Sequence, residues 1–256
     1  MLRHGLAGSF HLAVETSEQA AQGRAGRSYV YLHGLRSVRG GQKSQALRSI
    51  ASRHTSGSFS CFDARAHGDS GGGMQDLTLG TWIEDAVCAL NCVDSHHGPR
   101  PHVLVGSSLG GLVAAHVAAR EPRRVAALVL LAPAFGFFTR LEEHVGTGAG
   151  SGDILVPSRY VAGGVITLSR RLLDLKGLPD EGRLAAALGH IPLFCAHGRR
   201  DDVVPCASTQ AFFANVPGDR KRLLVLDDGD HRLTDHIGFI FEEMESFLAR
   251  VLEHCQ

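Results

Sequence analysis

The chain has 256 residues, of which 44% are hydrophobic and 20% are charged, and its 26 basic residues balance its 26 acidic residues. This length and composition are typical of one globular domain built around one core. The zero net charge argues against the basic surface of a nucleic-acid-binding protein. No apolar run reaches the roughly 18 residues that indicate a transmembrane helix.

The N-terminal stretch and the cysteines bear on the cellular compartment. Residues 1–19 lack the compact apolar segment of a secretory signal, so the sequence predicts a cytoplasmic protein. A short mitochondrial presequence is the alternative, because residues 1–11 include Arg3 and no acidic residue. The six cysteines form no C-x-x-C pair, which favours a reducing compartment. Neither cysteine nor histidine spacing indicates a metal site, so no metal or cofactor is predicted.

Short apolar runs alternate along the chain with segments of helical periodicity. The apolar runs predict strands at 28–33, 58–63, 102–107, 124–132, 191–197 and 222–228. Helical spacing predicts helices at about 42–53, 77–94, 109–120 and 236–254. Several runs are apolar without alternation, as expected for strands buried on both faces. This order predicts an α/β fold with a mostly parallel central sheet and helices on both faces.

One segment, residues 134–190, interrupts this alternation. It contains no clear strand, and its part 146–152 reads GTGAGSG, which is typical of a flexible loop. A segment of this length exceeds a plain crossover connection and predicts a small helical cap over a site. No repeat or linker suggests a second domain, so we expect a single domain, 1–256, that contains the cap.

Two serines occupy G-x-S-x-G motifs, Ser70 in residues 68–72 and Ser108 in residues 106–110. Ser108 follows a predicted strand and opens a predicted helix, so a sharp turn would present its hydroxyl at the carboxyl ends of the strands. Ser70 lies among loop-forming residues and lacks the upstream β-scaffold that carries His and Asp in a trypsin-like protease. We therefore interpret Ser70 as a turn residue and predict Ser108 as a nucleophile.

A nucleophilic serine needs a base and an acid, which in strand–turn–helix hydrolases follow it in the order acid, then histidine. Asp201 and Asp202 come directly after one predicted strand, and His231 follows the next. The D-x-x-V-P run that begins at the first of the two acids favours Asp201 over Asp202. The backbone N–H groups of Leu35 and Leu109 are the expected oxyanion hole.

Together these residues resemble the serine hydrolases of the α/β-hydrolase fold. The resemblance covers about residues 28–250 and rests on VYLHGLRS, GGQKSQAL, FDARAHGDSGG, GTWIEDA, VLVGSSLGG, HGRRDDVVP and GDHRL. The most similar branch contains mitochondrial acyl-protein thioesterases, depalmitoylases that also cleave acyl-glucuronides, and their bacterial homologues. It implies a triad of Ser108, Asp201 and His231 without a cofactor. It also implies hydrolysis of an ester or thioester, the acyl substrate being a small molecule or a lipidated protein.

Other interpretations of the cap and of the activity stay open. Phe135, Phe137 and Phe138 open the cap segment, where they would either line an apolar acyl pocket or pack in the core. A proline-iminopeptidase-like peptidase is the second enzymatic hypothesis, with Glu142 and Glu143 holding the substrate amine. The third hypothesis is a binding module that keeps the fold without turnover. The sequence leaves the oligomeric state open.

Overall fold

The computed structural model describes residues 2–7, 10–18, 26–54, 57–145 and 152–253, and within them eight strands form one central sheet. In chain order the strands are β1 (Leu2–Ala7), β2 (Phe10–Glu18), β3 (Ser28–Leu32), β4 (Ser58–Phe62), β5 (His102–Ser107), β6 (Val125–Leu131), β7 (Asp153–Pro157), β8 (Val165–Ser169), β9 (Leu193–Gly198) and β10 (Lys221–Leu226). The helices are α1 (Gln42–Ala51), α2 (Leu79–His97), α3 (Leu109–Arg120), α4 (Phe137–Val145), α5 (Glu181–Ala187), α6 (Cys206–Asn215) and α7 (Ile237–Glu253).

The central sheet has the order β1-β2-β4-β3-β5-β6-β9-β10. All pairs from β4 to β10 are parallel, whereas β2 runs antiparallel to both β1 and β4. Strands β3, β4, β5 and β9 are buried along their whole length, which explains their continuous apolar runs. Because the strands are parallel, the residues that follow β3, β5, β9 and β10 meet at one edge of the sheet.

Two hydrophobic clusters cover the two faces of the sheet. Alternate residues of β3 enter different clusters: Tyr29 and Tyr31 join α1 and α7, while Val30 and Leu32 join α2 and α3. The predicted mostly parallel sheet with helices on both faces is therefore confirmed. Among the described residues, no helix is both long enough and apolar enough to cross a membrane.

The cap segment differs from its prediction. Besides α4 and α5, it contains the antiparallel hairpin β7–β8, so the expectation that residues 134–190 lack strands is wrong. The inner face of the hairpin buries Ile154 and Leu168, and the outer face exposes Leu155 and Val165. β7 and β8 are short and rich in β-branched residues, and packing of their inner face stabilises strands here rather than a helix. The predicted flexible loop 146–152 lies, apart from its last residue, outside the described residues.

Candidate active site

Ser108 lies at the sharp turn between the end of β5 and the start of α3. Its backbone adopts φ 54° and ψ −123°, a conformation that L residues rarely occupy and that surrounding structure must enforce. A Cβ atom at Gly106 would overlap the backbone of Gly110 and Gly111. A Cβ at Gly110 would overlap the carbonyl oxygens of Leu32 and His33. The glycines of the motif thus let β5, α3 and the end of β3 approach closely enough to form the turn.

Three of the predicted site residues form a chain of hydrogen bonds at the carboxyl edge of the sheet. The Ser108 hydroxyl lies 3.0 Å from Nε2 of His231, and Nδ1 of His231 lies 2.7 Å from Oδ2 of Asp201. The carboxylate can only accept, so Nδ1 carries the imidazole proton and Nε2 accepts the serine O–H. This arrangement can remove a proton from the serine hydroxyl while the carboxylate stabilises the charged imidazole.

Asp201 is held by four donors. Its Oδ1 accepts the N–H groups of Val203 at 2.9 Å and Val204 at 2.8 Å, and its Oδ2 faces His231. Nε2 of His197 lies 3.0 Å from Oδ2 and also 3.0 Å from the Val204 carbonyl, so its N–H is shared between these two acceptors. Burial alone would raise the pKa of Asp201, but the hydrogen bonds from His197 and His231 outweigh it and hold that pKa well below the usual range. Asp202 instead pairs with a cap residue, Arg159, at 3.1 Å.

The N–H groups predicted as an oxyanion hole belong to residues that line the same cavity as Ser108. Leu109 is the first residue of α3, so its N–H has no partner within the helix. Within the part of the chain that the structure describes, neither it nor the Leu35 N–H donates a hydrogen bond. The Gly34 carbonyl accepts hydrogen bonds from His33 Nδ1 at 2.8 Å and from the Ser37 N–H at 3.1 Å. The Gly34 C=O and the Leu35 N–H belong to one trans peptide and point in opposite directions. The two hydrogen bonds to the carbonyl therefore also fix the direction of the Leu35 N–H.

Two neutral histidines hold the loop that carries Leu35. Nε2 of His33 accepts the Ala64 N–H at 3.0 Å, and Nε2 of His67 accepts the Arg36 N–H at 3.0 Å. Burial lowers the pKa of His33 to about 4 and lowers that of His67. The neutral rings can therefore accept these N–H groups at pH 7, which an imidazolium could not.

The cavity beside Ser108 has a volume of about 440 Å³, within the roughly 300–1,000 Å³ of small-molecule sites. Its apolar lining includes Phe137 from the cap, together with Val161 and Ile166. The structure does not bring the other two predicted aromatics to the site. Phe135 is fully buried and stacks on Phe212 at 3.6 Å between ring centroids, and Phe138 is buried in the core. Phe135 precedes α4 and packs against α6 through Phe212, whereas Phe137 and Phe138 are the first two residues of α4, of which only Phe137 lines the cavity.

The remaining candidates lie away from the cavity. The Ser70 hydroxyl donates to the Asp63 carbonyl at 2.6 Å and accepts the Ala13 N–H at 2.9 Å, which confirms its interpretation as a turn residue. Glu142 and Glu143 are on α4 and do not line the cavity.

Sequence reasoning missed two residues at the site. His197 follows β9 and contacts Asp201, and its only signal is a His-Gly pair directly after a strand. Lys43 is the second residue of α1 and lines the cavity; it lies in the GGQKSQAL stretch, to which no role was assigned from the sequence.

The sheet order, the strand–turn–helix around Ser108 and the adjacent cavity define an α/β hydrolase. The chain belongs to the Hydrolase_4 family, described as serine aminopeptidase, S33, whose profile matches residues 39–167. Human palmitoyl-protein thioesterase ABHD10, mitochondrial, is 27% identical over 217 residues, which cover 80% of this chain and 67% of that protein. Lipase LipV of Mycobacterium tuberculosis is 46% identical over 79 residues, 30% of this chain and of LipV.

Solved structures share the fold over nearly the whole chain. Est1E from Butyrivibrio proteoclasticus with bound ferulic acid superposes with a TM-score of 0.83 at 16% identity, covering 98% of this chain and 99% of Est1E. Mouse α/β-hydrolase domain-containing protein 10 gives a TM-score of 0.75 at 22% identity, and the match covers 98% of this chain and 99% of the mouse protein. As a member of the Hydrolase_4 family, the chain is a hydrolytic enzyme.

Proposed function

We propose that this enzyme hydrolyses carboxylic esters or thioesters through an acyl-enzyme formed on Ser108. The observation that carries the proposal is the hydrogen-bond chain from Ser108 through His231 to Asp201. The strained turn at Ser108 and the N–H groups of Leu35 and Leu109 at the same cavity support it.

The reaction follows from the geometry in two steps. Ser108 Oγ attacks the carbonyl carbon while His231 Nε2 takes the serine proton, and Asp201 stabilises the imidazolium. The negative charge that develops on the carbonyl oxygen is stabilised by the N–H groups of Leu35 and Leu109. As the tetrahedral intermediate collapses, the bond to the leaving oxygen or sulfur breaks and His231 gives that atom the proton. Water, activated by His231, then attacks the acyl-enzyme, which releases the acid and restores the serine.

An aminopeptidase activity, suggested by the family description, finds less support. An aminopeptidase has to bind the free ammonium of its substrate, which in a desolvated site calls for a carboxylate. No acidic residue lines the cavity in the described part of the chain, and Glu142 and Glu143 are elsewhere on α4. The lining therefore favours an uncharged acyl group over an amino-acyl group.

We further propose that residues 134–190 act as a cap within the single domain. Phe137, Val161 and Ile166 line the cavity from this segment, beside Val203 and Val204 of the loop after β9. This apolar lining supports binding of an acyl chain. The ABHD10 relatives are named palmitoyl-protein thioesterases of mitochondria, which supports a thioester of a lipidated protein as a substrate and a mitochondrial location.

A fluorophosphonate probe tests the proposal, because it labels an activated serine and not an ordinary hydroxyl. We expect labelling of the wild-type chain and of Ser70→Ala, and complete loss of labelling in Ser108→Ala. Hydrolysis of p-nitrophenyl butyrate and of a butyryl thioester should be lost with the label. A folded wild-type chain that neither takes the label nor hydrolyses either substrate would support the binding-module hypothesis instead.

A further inference from the structure

The polar side of the cavity is positively charged. Arg36, Lys43 and Arg232 all line it, and within the described residues no carboxylate does. The ammonium of Lys43 and the guanidinium of Arg36 form neither a hydrogen bond nor an ion pair with any of the described side chains. The guanidinium of Arg232 contacts the cap by donating to the Tyr160 carbonyl at 3.1 Å. The three cations repel one another, and an anionic ligand in the cavity would relieve this repulsion.

Lys43 occupies an unfavourable place for a cation. It is the second residue of α1, where the N–H groups of the first turn already create a positive potential. The helix has no side-chain cap and no acidic residue in its first turn. Burial lowers the pKa of Lys43 to about 8, so the ammonium is still mostly charged at pH 7. The positive charge of Lys43 at this buried helix start lowers the stability of the fold. A role of Lys43 in binding an anion would explain why a cation is found there.

Arg232 directly follows His231, the residue that gives the leaving group its proton in the proposed reaction. The leaving group must therefore contact His231 and lie near this loop. Lys43 lines the same cavity and is close enough to the loop to interact electrostatically with Asp230 and Arg232. Apolar residues of the cap and of the loop after β9 also line the cavity.

The charge and the donors of this group fit a phosphate. Asp230 and Asp201 both raise the pKa of Lys43 and offset part of the positive charge, but neither lines the cavity, where the three cations are the charged groups among the described residues. A phosphate monoester carries about 1.5 to 2 negative charges at pH 7 and accepts hydrogen bonds on three oxygens. Lysine, arginine and the start of a helix are all groups that bind phosphate in proteins. A carboxylate would neutralise less of the charge.

We propose that the preferred substrates are esters or thioesters whose leaving alcohol or thiol carries a phosphate, held by Lys43 with Arg36 and Arg232. This rests on the proposed function, since it concerns the leaving group of that reaction. The phosphate itself is not cleaved. The bond that breaks is the one between the acyl carbon and the leaving oxygen or sulfur, and the phosphorylated alcohol or thiol departs with the proton from His231.

The test compares butyryl thioesters that share one acyl group and differ in the thiol. The probes are S-butyryl-3-mercaptopropyl phosphate, S-butyryl-3-mercaptopropanol, S-butyryl-3-mercaptopropionate and S-butyryl-3-mercaptopropionamide. We expect kcat/KM for the phosphate to exceed that for the neutral alcohol by about tenfold or more, and to exceed that for the carboxylate. This preference should fall as the salt concentration rises.

Two lysine variants separate the local effect from net charge. Lys43→Gln should reduce the ratio of kcat/KM for the phosphate to kcat/KM for the alcohol by about fivefold or more. Lys176→Gln removes the same charge from an exposed position away from the cavity and should leave the preference intact. Equal kcat/KM for phosphate and alcohol, a stronger preference for the carboxylate, or equal effects of the two variants would overturn the assignment.

Failure of this inference is distinct from failure of the proposed function. If the neutral thioesters are hydrolysed in a Ser108-dependent manner without any preference for phosphate, the proposed reaction holds and the phosphate-bearing leaving group is wrong. If none of the four thioesters is hydrolysed, the proposed reaction itself is wrong, and the inference that depends on it falls too.

Discussion

The buried Nε2 of His197 lies 3.0 Å from Oδ2 of Asp201, the same oxygen that faces His231. On its other side, Nδ1 of His197 lies 2.8 Å from the hydroxyl of Thr209 in α6. The Thr209 O–H can donate to Nδ1, which leaves the proton of His197 on Nε2, where the Asp201 carboxylate and the Val204 carbonyl, each at 3.0 Å, share it. His197 thus connects α6 to Asp201 and acts on the site as a positioning residue.

We expect His197→Phe, which keeps a ring of similar size, to lower kcat by about tenfold with little change in KM. The lost hydrogen bond to a charged carboxylate should also lower the free energy of unfolding by about 1.5–3 kcal/mol. The control is Thr209→Val, which removes the bond behind His197 and keeps the one to Asp201. Steady-state kinetics and urea unfolding of both variants check this. Equal losses of kcat in the two variants would mean that packing, and not the bond to Asp201, is responsible.

Asp201→Asn and Asp202→Asn should differ by orders of magnitude in kcat. Asparagine at 201 would favour the wrong tautomer of His231, and this change costs about 10⁴-fold in serine proteases. Asp202 pairs with Arg159 outside the cavity, so its substitution should change kcat by less than about threefold. Initial rates on p-nitrophenyl butyrate measure both. A larger loss for Asp202→Asn would assign the triad acid to Asp202.

Much of the fold could be predicted because buried parallel strands leave a strong local signal. β5 and β6 are buried at nearly every position, since both faces of the sheet are covered by helices, and their apolar residues stand in continuous runs without alternation. The N-terminal strands β1 and β2 were missed. β1 lies at the edge of the sheet, pairs only with β2, and mixes polar residues with glycine, so no apolar run marks it. The hairpin β7–β8 was also missed. Its strands are short and are stabilised by the packing of one face, which the sequence alone does not show.

Site residues could be predicted only where they follow a strand of the parallel sheet, because this sets their position in the fold. Ser108 and His231 follow strands of a parallel sheet, which brings them to one edge whatever the intervening sequence is. His197 and Lys43 carry no such signal, because their roles arise from contacts between elements distant in sequence. The same is true of Phe135 and Phe137, which are two residues apart in the sequence: the first is buried against Phe212 and the second lines the cavity.

Phe137→Ala should flatten the dependence of kcat/KM on acyl-chain length. Each buried CH₂ contributes about 0.8 kcal/mol, so going from C4 to C8 should raise kcat/KM of the wild type by up to roughly 200-fold. Removing the Phe137 ring from the cavity lining should reduce this ratio and leave acetyl-ester turnover nearly unchanged.

The matched control is Phe135→Ala. Because Phe135 is buried against Phe212, its loss should lower the free energy of unfolding by about 3–5 kcal/mol and keep the chain-length ratio. A p-nitrophenyl ester series from C2 to C8 measures the ratio, and thermal unfolding measures stability. If Phe135→Ala flattens the ratio and Phe137→Ala does not, the placement of the acyl chain is wrong.

Buried neutral histidines should make the protein sensitive to mild acid. Burial lowers the pKa of His33 and of His116 to about 4, from about 6.5 in an unfolded chain. Between these pH values the unfolded state binds more protons, so the free energy of unfolding rises with pH. The contribution of each histidine is fully present above about pH 6.5 and is lost as the pH falls toward 4. Each accounts for about 3 kcal/mol over this range.

His116→Leu isolates one of these contributions. His116 is on α3, away from the cavity lining, and no described residue hydrogen-bonds to its ring. We expect the variant to unfold with a shallower pH dependence between pH 6.5 and 4, by up to about 1.4 kcal/mol per pH unit. At pH 8 its stability should be close to that of the wild type, because His116 is neutral in both states there. Urea unfolding at intervals of half a pH unit gives both slopes, and identical slopes would mean that His116 is not buried as a neutral ring.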